Sequence, residues 1–347
     1  MSLILSGNSG NTTLDSSNGL TFSDSSNQQY AASPYGIKNR IINGDMRIDQ
    51  RNAGASVTQT TSTVYTLDRW VSYGTVTSKF TTQQNAGSVT PPAGFTNYLG
   101  ITSSSAYTVG STDVFIIGQK IEGYNISDLA FGTANAKTIT ISFWVRSSLT
   151  GTFGATLSNN AFDRGYPFTY TISSANTWEQ KTLTITGDTT GTWTTTNTTG
   201  LTLWFGLGCG SSVSGTAGSW QAAGYYSATG ATSVVGTNGA TFYITGVQLE
   251  IGTSATPFER RMYGQELNNC FRYYYKYPGS PNIHGMLYSS GKYIGTVFFP
   301  VTMRTTPTIA DLTGNYNTIE NVGVSGMYMM RLADNTYLTT YSASAEL

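Results

Sequence analysis

Histidine occurs once in this 347-residue chain and cysteine twice, and charged side chains make up only 10% of it. Each shortage excludes something. With His284 alone and no GxSxG elbow, neither a histidine metal site nor a serine–histidine relay can be assembled, and a surface or loop histidine is expected. Cys209 and Cys270 form neither a CxxC pair nor a secreted framework; a disulfide scaffold and a thiolate zinc site are disfavoured, and both read as small buried hydrophobes. The 18 Lys plus Arg are balanced by 18 Asp plus Glu, so no basic field attracts a phosphate backbone and nucleic acid is not an expected partner. Met1 to Leu5 lacks a basic flank and is too short for a signal segment. No stretch approaches the ~20 apolar residues of a membrane span. The expectation is a protein made in a cytoplasm, without membrane insertion.

What is present is uncharged polarity mixed with rings. Soluble domains usually carry about 25% charged residues; here Ser, Thr, Asn and Gly take their place. The 15 Phe, 23 Tyr and 6 Trp supply far more burial than a disordered chain would, which points to a folded, β-rich protein. The sequence divides into three pieces. Residues 1–36 ("NTTLDSSNGLTFSDSSNQQ" at their centre) space isolated apolar residues among turn formers and read as an assembly arm of short β-segments, ordered only against a partner or copies of itself. Residues 37–258 carry period-two strands: Ile139, Ile141, Phe143 and Val145; Phe168, Tyr170 and Ile172; Leu201, Leu203, Phe205 and Leu207. Such alternation predicts an antiparallel sandwich, with one helical turn at "NISDLAFG". Residues 259–347 open with a helix, "YGQELNNCFRYYYK", whose Leu267, Cys270, Phe271 and Tyr274 make one apolar stripe, and continue as a small β-rich domain in need of oligomer contacts. The run Tyr273 to Tyr275 is read as leaving the helix for a strand.

Catalytic chemistry is hard to assemble. Asp113, Glu122, Asp128, Asp163, Glu179 and Asp188 are the acids available to a glycosidase pair in the middle piece, and several sit in turns where local backbone bonds explain them. The glycine-rich "LGCGSSVSGTAGS" lacks the Lys-Ser/Thr of a phosphate loop. The expectation is no enzyme. Aromatic residues carry more information. Strand alternation turns Trp144, Arg146 and Trp204 away from the core, where two indoles and a guanidinium form a platform for a sugar ring, its hydroxyls or a carboxylate; cover by another subunit or loop is the equal alternative. Trp220, Tyr225 and Tyr226, with Trp193, lie in Gly/Thr/Ser-rich loops that suit ligand contact, whereas Trp70 and Trp178 are expected to pack structurally.

Taken in order, "NRIINGDMRIDQRNAG", "YTLDRW", "GQKIEGYN", "ISFWVRSS", "TWEQKTLTITGDTTG", "FYITGVQLEIGTSATPFERRMYGQELNNCFRYY" and "FPVTMRTTPTI" resemble tail-fibre or related virion proteins of tailed bacteriophages. The opening is similar to the short "GLTF-Asp" arm of many such fibres. The middle piece resembles the jelly roll of carbohydrate-binding modules, which open on an "NGD" strand and close on one like "FYITGVQLE". The resemblance implies an all-β jelly-roll sandwich in a structural fibre of the virion, a homotrimer attached to other phage tail or virion proteins through its arm. It further implies adsorption to a host-surface glycan. The alternative is a capsid- or baseplate-attached fibre without receptor binding; a polysaccharide depolymerase is the remoter one. The same resemblance implies a structural calcium ion, for which Asp45 matches the opening motif while Gly246 stands where an acid is usual.

Overall fold

The computed structural model describes residues 20–21, 27–28, 38–279, 282–289, 292–331 and 337–347. The chain forms two compact units, 1–38 and 39–347. The predicted arm, 1–36, lies outside the described residues except for one short antiparallel ladder, Leu20–Thr21 with Asn27–Gln28.

The second unit is built on a sandwich of two six-stranded sheets. In chain order its strands are β1 (Val57–Thr58), β2 (Val64–Leu67), β3 (Trp70–Gly74), β4 (Phe80–Gln84), β5 (Leu99–Ser103) and β6 (Val114–Glu122). There follow β7 (Ile139–Ser147), β8 (Gly151–Asn159), β9 (Gly165–Ile172), β10 (Glu179–Ile185), β11 (Thr199–Cys209) and β12 (Thr241–Ile251). The first sheet runs β9-β8-β11-β6-β3-β2 and the second β10-β7-β12-β5-β4-β1. From β9 onward each successive strand crosses to the other sheet, as a jelly roll requires.

The predicted alternation drives this packing. Ile139, Ile141, Phe143 and Val145 of β7 and Leu201, Leu203, Phe205 and Leu207 of β11 are all 0–1% exposed, and the Phe143 and Phe205 rings meet edge-to-face across the sandwich at 5.1 Å. In β12 the inward set passes from Phe242 and Ile244 to Val247 and Leu249 through a bulge. Gly246 sits in that bulge with φ +62°, and a Cβ there would lie 2.6 Å from the Phe95 ring. Glycine is a backbone requirement at this position. The "NISDLAFG" segment makes one short 3-10 turn, Ser127–Leu129, directly after another at Gly123–Asn125.

Helix α1 spans Tyr263–Phe271, and Tyr274–Lys276 leaves it as a strand paired with Tyr337–Ser344. The apolar stripe is taken up within the chain: Cys270 and Leu267 pack with Ile42, Ile48, Tyr273 and Leu347, and Phe271 meets Tyr275 edge-on at 5.0 Å. Beyond α1 two four-stranded sheets enclose their own small core, which includes Met303, Met327, Met329, Leu338 and Tyr341. Ionic bonds fasten this part to the sandwich. Arg272 donates to both oxygens of Glu122 at 2.6 and 2.9 Å, and the Tyr273 hydroxyl donates to the same carboxylate at 2.6 Å. Arg51 and Arg69 hold Glu346, while Lys120 and Tyr65 donate to the Leu347 carbonyl.

Candidate functional site

Residues of β7 that point away from the core stand on the outer surface of the second sheet, between β10 and β12. Trp144 lies in register with Gln180 on one side and Thr245 on the other; Arg146 lies in register with Tyr243. Trp144 and Arg146 are half-buried, while Gln180 and Thr182 on the edge strand are exposed. The rest of this surface is roofed by the segment 85–98. Tyr98 is fully buried beneath it, 5.5 Å from the Trp178 ring and 5.1 Å from Tyr243, and the Thr245 hydroxyl donates to the Asn97 carbonyl. The roof ends where Gly246 lets Phe95 and Trp144 approach each other, since a Cβ at 246 would lie 3.2 Å from the indole of Trp144. Beyond Phe95 come Phe258, at 5.2 Å, and the exposed Arg260, whose guanidinium lies 4.7 Å from the Phe95 ring centre.

The result is a track of rings and two cations along β7 and β12. Arg146 is fixed in it: Nε donates to the Asn176 carbonyl at 2.9 Å, and the guanidinium lies 5.4 Å from the Tyr243 ring centre. A half-exposed indole beside amide and hydroxyl side chains suits a sugar, whose apolar ring face stacks while its hydroxyls find donors and acceptors.

Trp204 does not belong to this surface. It stands on β11, in the other sheet, so the common platform expected from alternation is not formed: its three members point outward on opposite sides of the sandwich. Trp204 is only 6% exposed and packs with Val71, Val114, Ile116, Val213 and Tyr226. It lies over Gly118, where a Cβ would come within 2.6 Å of the ring. Cover by a loop is the alternative that the structure realises. The segment 210–237 crosses this sheet above Gly154 and Gly206, at each of which a Cβ would fall within 2.5 Å of the Ser227 hydroxyl.

Of the predicted loop aromatics, Trp220, Tyr225 and Tyr226 lie in that cover, and Trp193 meets Trp220 from another loop. Trp220 joins Phe131, Trp193 and Tyr166 in an edge-to-face cluster, and its Nε1 donates to the Thr186 carbonyl at 2.8 Å. Tyr225 packs over Gly215. The Tyr226 ring is tilted against Phe162 at 4.7 Å, and Tyr226 packs in the Trp204 cluster. All three remain half-exposed, away from the Trp144 track. Trp70, fully buried, donates from its indole to the Asn43 carbonyl, as a structural residue would.

The acids considered for hydrolysis are engaged. Asp128 pairs with Arg40 at 2.5 Å, Asp188 with Arg164 at 2.7 Å, Glu179 with Lys181 at 2.5 Å and Glu122 with Arg272. Asp113 accepts from Tyr107, Thr75 and the Gly110 amide, which hold its carboxyl below the usual range, and Asp163 accepts from Asn159. His284 is exposed.

A calcium ion does not fit the residues present. Asp45 is bonded to Arg47 at 2.5 Å, so its carboxylate is already taken up by a cation of the chain, and burial raises its carboxyl above the ordinary value. Gly246 is held glycine by its backbone. Among the described residues no three carboxylate, histidine or cysteine side chains gather as a metal site.

Sequence reasoning missed Tyr243, Phe95 and Arg260. Tyr243 alternates with Phe242 and Ile244 and was open to the rule that found Trp144. Phe95 and Arg260 sit in loops whose placement no local pattern announces.

No family model matches the chain, and no curated protein does. Among solved structures it is similar to the enzymatically active domain of tailspike protein 4 of bacteriophage CBA120, at 12% identity and TM-score 0.34, over 62% of this chain and only 21% of that one. It is also similar to the family 11 carbohydrate-binding module of Clostridium thermocellum in complex with a mixed-linked tetrasaccharide, at 11% identity and TM-score 0.30, over 58% of this chain and 98% of the module. A third is the amino-terminal cellulose-binding domain of Cellulomonas fimi β-1,4-glucanase C, at 14% identity and TM-score 0.24, over 46% and 82%. At these values the likeness carries no argument about the present chain.

Proposed function

We propose that this protein is a non-catalytic structural component of a bacteriophage fibre, whose sandwich takes part in binding a glycan of the host surface. The observation that carries the glycan reading is the Trp144 track: a half-exposed indole between Gln180 and Thr245, with a fixed guanidinium one row away. The fibre assignment rests on the ordered sequence motifs and on the arm-like composition of residues 1–36. Self-association as a trimer is supported by Met286, Tyr288 and Phe298 of one terminal sheet, each 72–79% exposed. The α1 stripe, covered within the chain, does not support it. A virion location, with attachment to other phage proteins through the arm, follows from the same fibre reading. The absence of catalysis is supported by the ion pairs and hydrogen bonds that occupy the candidate acids.

The test is adsorption of particles carrying Trp144→Ala. Weak single sites gain strength from many copies on one particle, so adsorption to host cells should fall sharply while the purified variant melts within about 4 °C of wild type. Wild-type adsorption by the variant refutes the site.

A further inference from the structure

Most of the described arginines are bound to carboxylates of this chain, whereas the two of the track are not. Arg40, Arg47, Arg51, Arg69, Arg164 and Arg261 each meet a carboxylate of this chain. Arg304 is absorbed by the backbone carbonyls of Asn197, Ala345 and Glu346. Arg146 and Arg260 meet no carboxylate among the described residues, and both lie beside the ring of a track aromatic. The neighbouring acids are few and engaged: Glu259, next to Arg260 in sequence, accepts from the Asn39 amide and lies 3.6 Å from Arg261. The strands of the second sheet contain only Glu179 and Glu250; Glu179 is turned inward and held by Lys181 and the amides of Ser173 and Ser174, and Glu250 is buried and bonded to Gln248 and Thr256. The flanking segments 85–98 and 173–178 carry no acid at all. In a chain of zero net charge, Arg146 is thus a cation with no carboxylate partner among the described residues.

The guanidinium of Arg146 is also set for its task. Nε is used on Asn176, which fixes the plane of the group, and the two terminal nitrogens make no hydrogen bond among the described residues. A preorganised guanidinium with a free edge matches a planar or tetrahedral oxyanion and receives it through two parallel hydrogen bonds.

We propose that this face selects saccharides bearing an anionic group, a carboxylate or phosphate whose oxygens are received by the terminal nitrogens of Arg146, with the sugar ring on Trp144 and Arg260 as a second cation beyond Phe95. This rests on the glycan reading above and names its ligand class.

The experiment is a glycan array printed with neutral, uronate-, sialate- and phosphate-bearing oligosaccharides, probed with the full-length wild type, Trp144→Ala, Arg146→Ala and Arg146→Gln, followed by titration of the strongest binder. Circular dichroism checks that each variant is folded, and Arg146→Gln stands in should Arg146→Ala not fold. Expected binders are anionic, binding weakens with added salt, and loss of the Arg146 charge lowers affinity by about 10- to 100-fold. Arrays that separate uronate from phosphate binding identify which oxyanion is read. Binding to neutral glycans that Trp144→Ala abolishes and Arg146→Gln leaves unchanged overturns the anion inference and preserves the glycan reading. Binding to no glycan, or binding indifferent to Trp144→Ala, overturns the glycan reading and the inference with it.

Discussion

Replacing Trp204 by alanine separates a buried indole from a displayed one. The side chain is 6% exposed, with Val71, Val114, Ile116 and Tyr226 around it and Gly118 beneath. A buried aromatic ring covers roughly 150–250 Å², which at about 25 cal/mol per Å² sets an upper bound of about 4–6 kcal/mol. Measured truncations of core Phe and Trp cost about 3–5 kcal/mol. The indole lies under a loop that can settle into part of the space, so the low end, about 3 kcal/mol, is the expectation. At about 2–4 °C per kcal/mol the midpoint of thermal unfolding falls by about 6–12 °C. Trp144→Ala, which uncovers a half-exposed ring, should cost about 1 kcal/mol or less. Calorimetry on both variants, with urea titration as a second measure, reads the difference. A Trp204→Ala protein that melts within about 2 °C of wild type would show that segment 210–237 does not cover this sheet. It follows that reduced adsorption by Trp204→Ala particles reports stability as much as recognition, and Trp144 is the cleaner probe.

Two further outcomes are expected. Glu122→Gln leaves Arg272, 33% exposed, facing a neutral amide in place of the buried Glu122 carboxylate; losing a hydrogen bond to a charged group costs about 1.5–3 kcal/mol, and limited proteolysis should cut between β12 and α1 faster than in wild type, whereas an unchanged digestion rate contradicts the fastening role. Burial raises the Asp68 carboxyl to about 7, against hydrogen bonds from Gln50 that lower it. Folding therefore strengthens proton binding at this site. Its contribution is full below about pH 4 and is lost as pH rises through about 7, so Asp68→Asn should raise the urea midpoint at pH 8 and flatten the fall between pH 5 and 8; an equal slope in both proteins refutes this.

The inward alternation of β7 and β11 was readable because the core imposes it residue by residue: Phe143 and Phe205 had to face inward wherever their strands went. Which sheet a strand joins is a different matter, since β7 pairs with residues near 180 and 245 while β11 pairs with residues near 120 and 157. Alternation therefore put Trp144 and Trp204 outside, and could not say that they lie outside on opposite sheets. The stripe on α1 was likewise visible, but its covering residues, Ile42, Ile48 and Leu347, come from distant parts of the sequence. The pairing of Glu122 with Arg272, 150 residues apart, left no local trace. Neither did the lack of a carboxylate beside Arg146, which is a property of the finished surface.

The return of residues 345–347 to the sandwich has a consequence in time. Arg69 is fully buried and finds its anion in Glu346, 277 residues later. At synthesis rates of about 5–20 residues per second, tens of seconds separate their emergence from the ribosome. During that interval the sandwich strands can pair, but the guanidinium under them has no counter-charge, and closing this end of the sandwich over it is unfavourable. The nascent sandwich is thus held ajar at one end until the segment that seals it has been made, and stalling or truncation of translation before residue 346 should deliver an open form to chaperones rather than a finished domain lacking its tail.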